Sequence, residues 1–261
     1  IIIIIYTLCT FHLNNKRVKV KFQSSAELPT SSHSEELDLK YYRPTQKKVQ
    51  NLRDQLSSAF PYEPEKPMPR RIWQTWKVDV NSADFPSDLK RYQKEWTAQS
   101  DSANLFQYSL VSDDHILPLL QNLYGEAPIV IEAFKAMPEN ILRADFLRYL
   151  LLFARGGIYS DIDTTPLKPL DSWLSMDQLS LQQFHDTNTP IPYKKFTKSL
   201  SATDPGFVIG IEADPDRDDW KDWYARRIQF CQWTIQSKPG HPILRELILN
   251  ITATTLNSMS G

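Results

Sequence analysis

The chain has 261 residues, 30 basic and 31 acidic side chains, and a formal net charge of −1. That balance speaks against a nucleic-acid binder relying on bulk positive charge. There is no Gly-x-Gly-x-x-Gly and no P-loop, and the two cysteines, Cys9 and Cys231, make neither a disulfide framework nor a cysteine zinc site.

The chain opens with IIIIIYTLCTF, an uncharged run well short of the roughly 20 residues that span a bilayer. We expect it to be the end of a longer apolar segment, the alternative being a buried strand. Lys16, Arg17, Lys19 and Lys21 follow it. Residues 1–22 thus read as the end of a membrane segment and its basic flank, although the positive-inside rule would put that flank on the cytoplasmic side. Residues 23–38 are Ser-rich and polar, as in a flexible stem. Val49, Leu52, Leu56 and Phe60 have the spacing of an amphipathic helix within 45–60. Pro61, Pro64, Pro67 and Pro69 then form a stretch that can be neither helix nor central strand. We therefore read 23–69 as stem, helix and Pro-rich linker, and 70–261 as the folded domain.

Within it, RRIWQTWK (70–77) is expected to be a strand, 86–98 a helix, 104–111 a strand, 113–123 a helix with Pro118 as a blemish, and 128–137 another helix. ENILRADFLRYLLLFA (139–154) is the strongest helix signal, stopped by Gly156 and Gly157. Ile158–Tyr159 and GFVIGI (206–211) read as short strands, and 241–256 as a final helix with Pro242 in its first turn. Helices alternating with short strands predict an α/β architecture.

Chemistry concentrates in RADFLRYLLLFARGGIYSDIDTTPLKPLD (143–171). Asp161 and Asp163 follow a short strand, and two carboxylates so spaced can converge on one hard divalent cation that bridges to phosphate oxygens. A bare pair of this kind is more often a solvated turn. Asp145 and Arg148 lie one helical turn apart and can meet; Arg143 lies on roughly the opposite side of that helix. Arg148 could clamp a diphosphate, or be held by Asp145, or form an ordinary solvent-facing pair with it.

Asp145, Arg148, Gly156, Gly157, Tyr159, Asp161 and Asp163, with the trailing TPLKPLD, resemble the sugar-binding-region motif of glycosyltransferase family 32. PRRIWQTWK looks like that family's first strand. GFVIGIEADPDRDDW and RRIQFCQWTIQSKPGHPILRELI are similar to its α-1,6-mannosyltransferase branch. The resemblance implies a GT-A-like nucleotide-sugar-binding α/β fold, with a central mixed sheet flanked by helices. It implies a retaining, Mn²⁺-dependent transfer of mannose from GDP-mannose to the high-mannose core of N-glycans, in α-1,6 linkage. In that frame Asp161 and Asp163 hold metal and diphosphate, and Asp145 and Arg148 contact donor sugar and phosphate. Tyr159, Gly156 and Gly157 belong to the donor site, and Trp76 stacks on the base. Family members usually continue with a Trp-Thr-Gly-Pro-like stretch, which this chain lacks, so 70–261 is expected to be a catalytic domain without its C-terminal part.

His241, in KPGHP, is a candidate third metal ligand, the plain alternative being a helix-opening residue. Glu212 and Asp214 are candidate acceptor contacts or simple loop carboxylates. Asn250, in Asn-Ile-Thr, is a candidate glycosylation site. The apolar start, the stem and the resemblance together lead us to expect a single-pass type II Golgi membrane protein with a lumenal domain, possible company in a complex with other mannosyltransferases, and no nucleic-acid partner. Two rivals stand beside this reading. One is a non-catalytic subunit of a mannosyltransferase complex. The other is a phosphatase of the haloacid dehalogenase type, with DIDTT as nucleophile motif and Lys194, Lys195 or Lys198 and Asp218–Asp219 as later motifs.

Overall fold

The structure is a computed structural model. It describes residues 51–100, 106–173, 176, 205–214, 217–224 and 226–258. The expected membrane segment, its basic flank, the expected stem and Lys194, Lys195 and Lys198 lie outside the described residues. Among the described residues no helix is long and apolar enough to cross a membrane.

Five strands form one mixed sheet. They are β1 (Arg71–Trp76), β2 (Gln107–Ser112), β3 (Gly157–Ser160), β4 (Phe207–Ala213) and β5 (Gln229–Ser237), in the order β2-β1-β3-β5-β4. β1 runs parallel to β2 and β3, whereas β5 is antiparallel to β3 and β4. The helices are α1 (Leu52–Ala59), α2 (Leu89–Thr97), α3 (Asp113–Leu123), α4 (Pro128–Ala136), α5 (Asn140–Arg155), α6 (Trp220–Trp223) and α7 (Pro242–Ser258). The expected α/β class, a mixed sheet flanked by helices, is the one found.

Strand alternation divides the core between the two faces of the sheet. Trp73, Tyr159 and Ile235 join the large cluster built on α5, with Leu147, Leu150, Leu151 and Phe153. Ile72 and Ile158 face the other way, onto Trp96, Phe106 and Leu170. The last nine residues of α5 before Arg155 are all buried, which is why its Leu-rich run shows no clean amphipathic stripe.

Gly156 (φ 66°) ends α5 and Gly157 (φ 103°) opens β3. A Cβ on Gly157 would lie 2.5 Å from the Arg71 carbonyl oxygen, and one on Gly156 would lie 2.8 Å from the Ser237 carbonyl oxygen. The pair lets β3 enter between β1 and the end of β5. Trp73 Nε1 closes the turn by donating to the Gly156 carbonyl at 2.9 Å.

Two expectations change. The folded unit begins before Pro69. Leu56 on α1 is fully buried, Phe60 packs on Tyr124 and Phe153, Met68 is buried, and Lys238 Nζ donates to the Pro64 carbonyl at 2.7 Å. Each such apolar anchor contributes about 1.5–3 kcal/mol, so the Pro-rich run is strapped to the domain rather than acting as a spacer. The strand β5 had no counterpart in the sequence reading. It is broken by a bulge: Ile209 pairs with Ile235 and Ile211 with Phe230, so Cys231 to Thr234 face only Gly210.

Candidate active site

A cavity of about 740 Å³ opens where β1 and β3 end, at the carboxyl ends of two parallel strands. Trp76 and Lys77 form one wall and Asp161 and Asp163 another; the first turns of α5 close it with Asn140, Arg143, Ala144, Leu147 and Arg148. Leu117, Ile116 and Phe134 supply its apolar surface.

Behind the dicarboxylate lies a dense polar network. Arg148 is only 5% exposed. Its Nη2 donates to Asp145 Oδ1 at 2.7 Å and lies 3.6 Å from Asp161 Oδ1, while Nη1 donates to the Gln232 carbonyl at 2.8 Å. The guanidinium also sits over the Tyr159 ring, 5.2 Å from its centroid. Tyr159 OH donates to Asp161 Oδ1 at 2.9 Å and lies 3.1 Å from Thr75 Oγ1. Asp161 is pinned through its backbone as well: its carbonyl accepts from Gln74 Nε2 and Thr164 Oγ1, and its N–H donates to the Trp233 carbonyl.

Burial pushes the Asp161 carboxyl above the usual carboxylate range, against the opposing pull of Arg148 and of the Tyr159 hydroxyl. Asp145 is raised for the same reason, again opposed by Arg148. Burial raises the Tyr159 phenol strongly, with the Asp161 charge adding to it, so it stays a hydrogen-bond donor. Asp161 Oδ1 is thus committed to protein partners. Its other oxygen and the exposed Asp163 carboxylate remain, two hard oxygen donors at the cavity edge. A hard divalent cation that keeps waters and takes substrate phosphates suits such a pair.

The fold therefore brings together Asp145, Arg148, Tyr159, Asp161, Asp163 and Trp76. It separates the others. His241 lies beyond the Ser237 end of β5, whereas Asp161 lies level with Trp233, and the four residues from Trp233 to Ser237, at ~3.3 Å each, already span on the order of 13 Å. The imidazole stacks on Phe207 and meets Tyr62 edge-on, and its Nδ1 accepts from the Ile243 N–H. Burial and the Lys238 charge lower its pKa. It packs the core and does not join the dicarboxylate; among the described residues no three His, Cys, Asp or Glu side chains converge on one point. Gly156 and Gly157 lie at the opposite end of β3 from Asp161 and line no part of the cavity. Glu212 and Asp214 stand exposed at the end of the edge strand β4, Asp214 paired with Arg227. Asn250 is exposed on α7, its amide donating to the Glu246 carbonyl, while Thr252 of the same sequon is buried. Asp219 pairs with Arg217 at the start of α6.

The sequence reading missed Thr75, Lys77, Lys135, Asn140 and Arg143, all of which line the cavity. Arg143 had been placed opposite Arg148. The first turns of α5 are only partly buried, and both arginines line the cavity. Position on this helix end was the available signal.

Comparison with known proteins bears on this geometry. Residues 86–180 match the model of the glycosyltransferase sugar-binding region containing a DXD motif, a span that includes Asp145, Arg148, Asp161 and Asp163. The whole chain is 59% identical to the initiation-specific alpha-1,6-mannosyltransferase of Saccharomyces cerevisiae. The chain thus carries a glycosyltransferase sugar-binding region with a DXD motif. The protein of the same name from Candida albicans is 47% identical over 90% of the chain. The chain spans 57% of the length of each of these two relatives. Among solved structures it is similar to PaToxG glycosyltransferase, with a TM-score of 0.45 and 17% identity over 79% of this chain and 67% of that one. Asp161 and Asp163 form the one Asp-x-Asp within the matched region.

Proposed function

We propose that this glycosyltransferase moves mannose from GDP-mannose to the high-mannose core of N-glycans, forming an α-1,6 linkage with retention of configuration. The observation that carries the reading is the Asp161–Asp163 pair on the edge of a cavity walled by Trp76, Lys77 and Arg143, in a chain 59% identical to an initiation-specific alpha-1,6-mannosyltransferase.

Each residue then has a task. Trp76 offers an aromatic face to the guanine, and Lys77 and Arg143 counter the diphosphate charge. Asp161 and Asp163 would hold Mn²⁺, which supplies Lewis-acid stabilisation of the departing diphosphate when bound. Arg148 and Tyr159 orient Asp161, and Asp145 fixes Arg148. Arg148 acts through Asp161 more than on phosphate, because both terminal nitrogens are spent on protein partners. Glu212 and Asp214, exposed at the β4 end, would meet the acceptor.

The domain would face the Golgi lumen as part of a type II membrane protein anchored through residues 1–22, where glycoprotein acceptors are found, with Asn250 as a modification site. Protease protection in intact microsomes tests this topology; digestion without detergent would reverse it. Calorimetry with GDP, UDP and Mn²⁺ tests the donor site. Mn²⁺-dependent GDP binding, tighter than UDP and lost in Asp161→Ala and Asp163→Ala, is expected; preference for UDP would move the chain to another branch. GDP binding without mannose transfer to an oligomannose acceptor would mark a donor-binding subunit of a larger assembly.

A further inference from the structure

The β4–β5 hairpin carries three exposed apolar side chains, one of them opposite Asp161. Ile211 and Phe230 are direct cross-strand partners, 60% and 54% exposed, and the Trp233 indole is 46% exposed. Trp233 has a particular position. β3 and β5 pair from Gly157↔Ser237 to Ser160↔Thr234, and one step further in the same register Trp233 faces Asp161. The Asp161 N–H donates to the Trp233 carbonyl at 2.9 Å, so the register continues through this pair. Directly opposed residues of an antiparallel pair place their Cβ atoms about 4.5–5.5 Å apart on one face.

We propose that this hairpin surface, with Trp233 at its inner end, is the acceptor platform, and that its ligand is a pyranose ring of an oligomannose glycan. The proposal rests on the glycosyltransferase reading above and adds a subsite to it.

Three observations carry it. The first is position. The cavity assigned to the nucleotide lies on the β1 side of Asp161, with Trp76 at the end of β1, Lys77 just after it and Arg143 on α5. An acceptor hydroxyl must reach the sugar from space that the nucleotide leaves free. The sheet order puts β5 and then β4 on the other side of β3.

The second is rigidity. The bulge holding Trp233 is tied to the core of the site: its carbonyl accepts from Asp161 N–H and Ser160 Oγ, and the neighbouring Gln232 carbonyl accepts from Arg148. A ring stacked on this indole is thereby held in register with the dicarboxylate. Such preorganisation keeps a reacting hydroxyl in place.

The third is chemistry. A pyranose has an apolar C–H face, slightly positive, that matches the negative face of an aromatic ring, and a hydroxyl rim that needs acceptors. Phe230 and Ile211 extend the apolar surface, and Glu212, next to Ile211, is an exposed carboxylate for the rim.

The test uses a free oligomannose glycan released from glycoprotein, with Mn²⁺ and GDP titrated separately. Trp233→Ala should weaken glycan binding by about tenfold, roughly what one stacked ring supplies. Trp233→Phe should keep most of it, and Mn²⁺-dependent GDP affinity should be unchanged in both. Ile211→Ser, on the edge strand, gives a second reading if Trp233→Ala does not fold: it should weaken glycan binding and leave GDP alone. Wild-type glycan affinity in both Trp233→Ala and Ile211→Ser would overturn the platform, as would a wild-type chain that binds GDP but no glycan. A dimer in sedimentation that Trp233→Ala dissociates would also overturn it, assigning the face to a second copy. Trp233-dependent glycan binding by a chain with no affinity for GDP would sustain the platform and sink the donor assignment.

Discussion

Tyr159 donates its phenolic hydrogen to Asp161 Oδ1 at 2.9 Å, from a position on the same strand two residues earlier. Residues i and i+2 of a strand share a face, so a sequence with Tyr just before the dicarboxylate carries its own clamp for the first carboxylate. The same hydroxyl meets Thr75 on the neighbouring parallel strand, tying the ends of β1 and β3 together beneath the cavity.

Tyr159→Phe removes this clamp and leaves the packing. A hydrogen bond to a charged group is worth about 1.5–3 kcal/mol, and part of that is expected as weaker Mn²⁺-dependent GDP binding, with a small change in melting temperature. The pH dependence has a definite sign. Tyr159 lowers a carboxyl that burial has raised, so its loss lifts the Asp161 pKa further. Binding that needs the ionised carboxylate is lost as pH falls through that pKa, so the acid limb should move to higher pH. Calorimetry across a pH series checks it; an acid limb that stays put, or moves down, counts against the clamp.

Arg148 and Asp145 behave as one unit. Removing the guanidinium by Arg148→Met leaves the largely buried Asp145 carboxylate, 14% exposed, beside no cation, which costs up to about 3–5 kcal/mol. The double variant Arg148→Met/Asp145→Leu should recover about 1–3 kcal/mol of that as coupling, incompletely, since Asp161 also faces Arg148. Arg148→Lys keeps the charge but cannot reach Asp145, Asp161 and the Gln232 carbonyl at once. It should weaken donor binding by about tenfold, about 1.4 kcal/mol. Urea unfolding of the four chains of the cycle decides the first point; additive effects would mean that the pair is not coupled.

The parts of the site written locally could be read from the sequence, and the parts made by pairing could not. Asp161–Asp163 and Asp145–Arg148 lie within one strand end and one helical turn, and their spacing survives folding. β5 was missed although Cys231, Trp233 and Ile235 alternate with Gln232, Thr234 and Gln236; what its bulged stretch does, supplying carbonyls to Arg148 and Asp161, depends on pairing with strands distant in the chain. Gly156 and Gly157 were recognised as special but given the wrong task, because a glycine signals close approach without saying to what. Here the neighbours are Arg71, Ser237 and Pro239, none of them near the dicarboxylate.

That reassignment is testable. In Gly156→Ala a Cβ would lie 2.6 Å from Pro239 Cδ and 2.8 Å from the Ser237 carbonyl, at a φ of 66° that side chains disfavour. A destabilisation of about 1–3 kcal/mol is expected from the strain, seen as a lower melting temperature. GDP affinity per folded molecule should be unchanged. A variant of normal stability with impaired GDP binding would return the glycine to the donor site.

The position of His241 sets a pH dependence of stability that a metal ligand at the dicarboxylate would not give. Between Phe207 and Tyr62, burial and the nearby Lys238 charge hold the imidazole below its ordinary pKa of 6.5. The unfolded chain keeps the ordinary value and takes up the proton first as pH falls. The contribution of His241 to stability is therefore complete above about pH 6.5 and is lost progressively as pH drops toward the depressed folded pKa. Wild type should lose melting temperature from pH 7 to pH 5. His241→Phe keeps a ring in the aromatic slot and has no proton to gain, so its loss over the same interval should be smaller, and Mn²⁺-dependent GDP binding at pH 7 should be unaffected. Parallel curves for the two proteins would show that the imidazole titrates alike in both states, and a loss of Mn²⁺ binding in the variant would bring His241 back as a ligand.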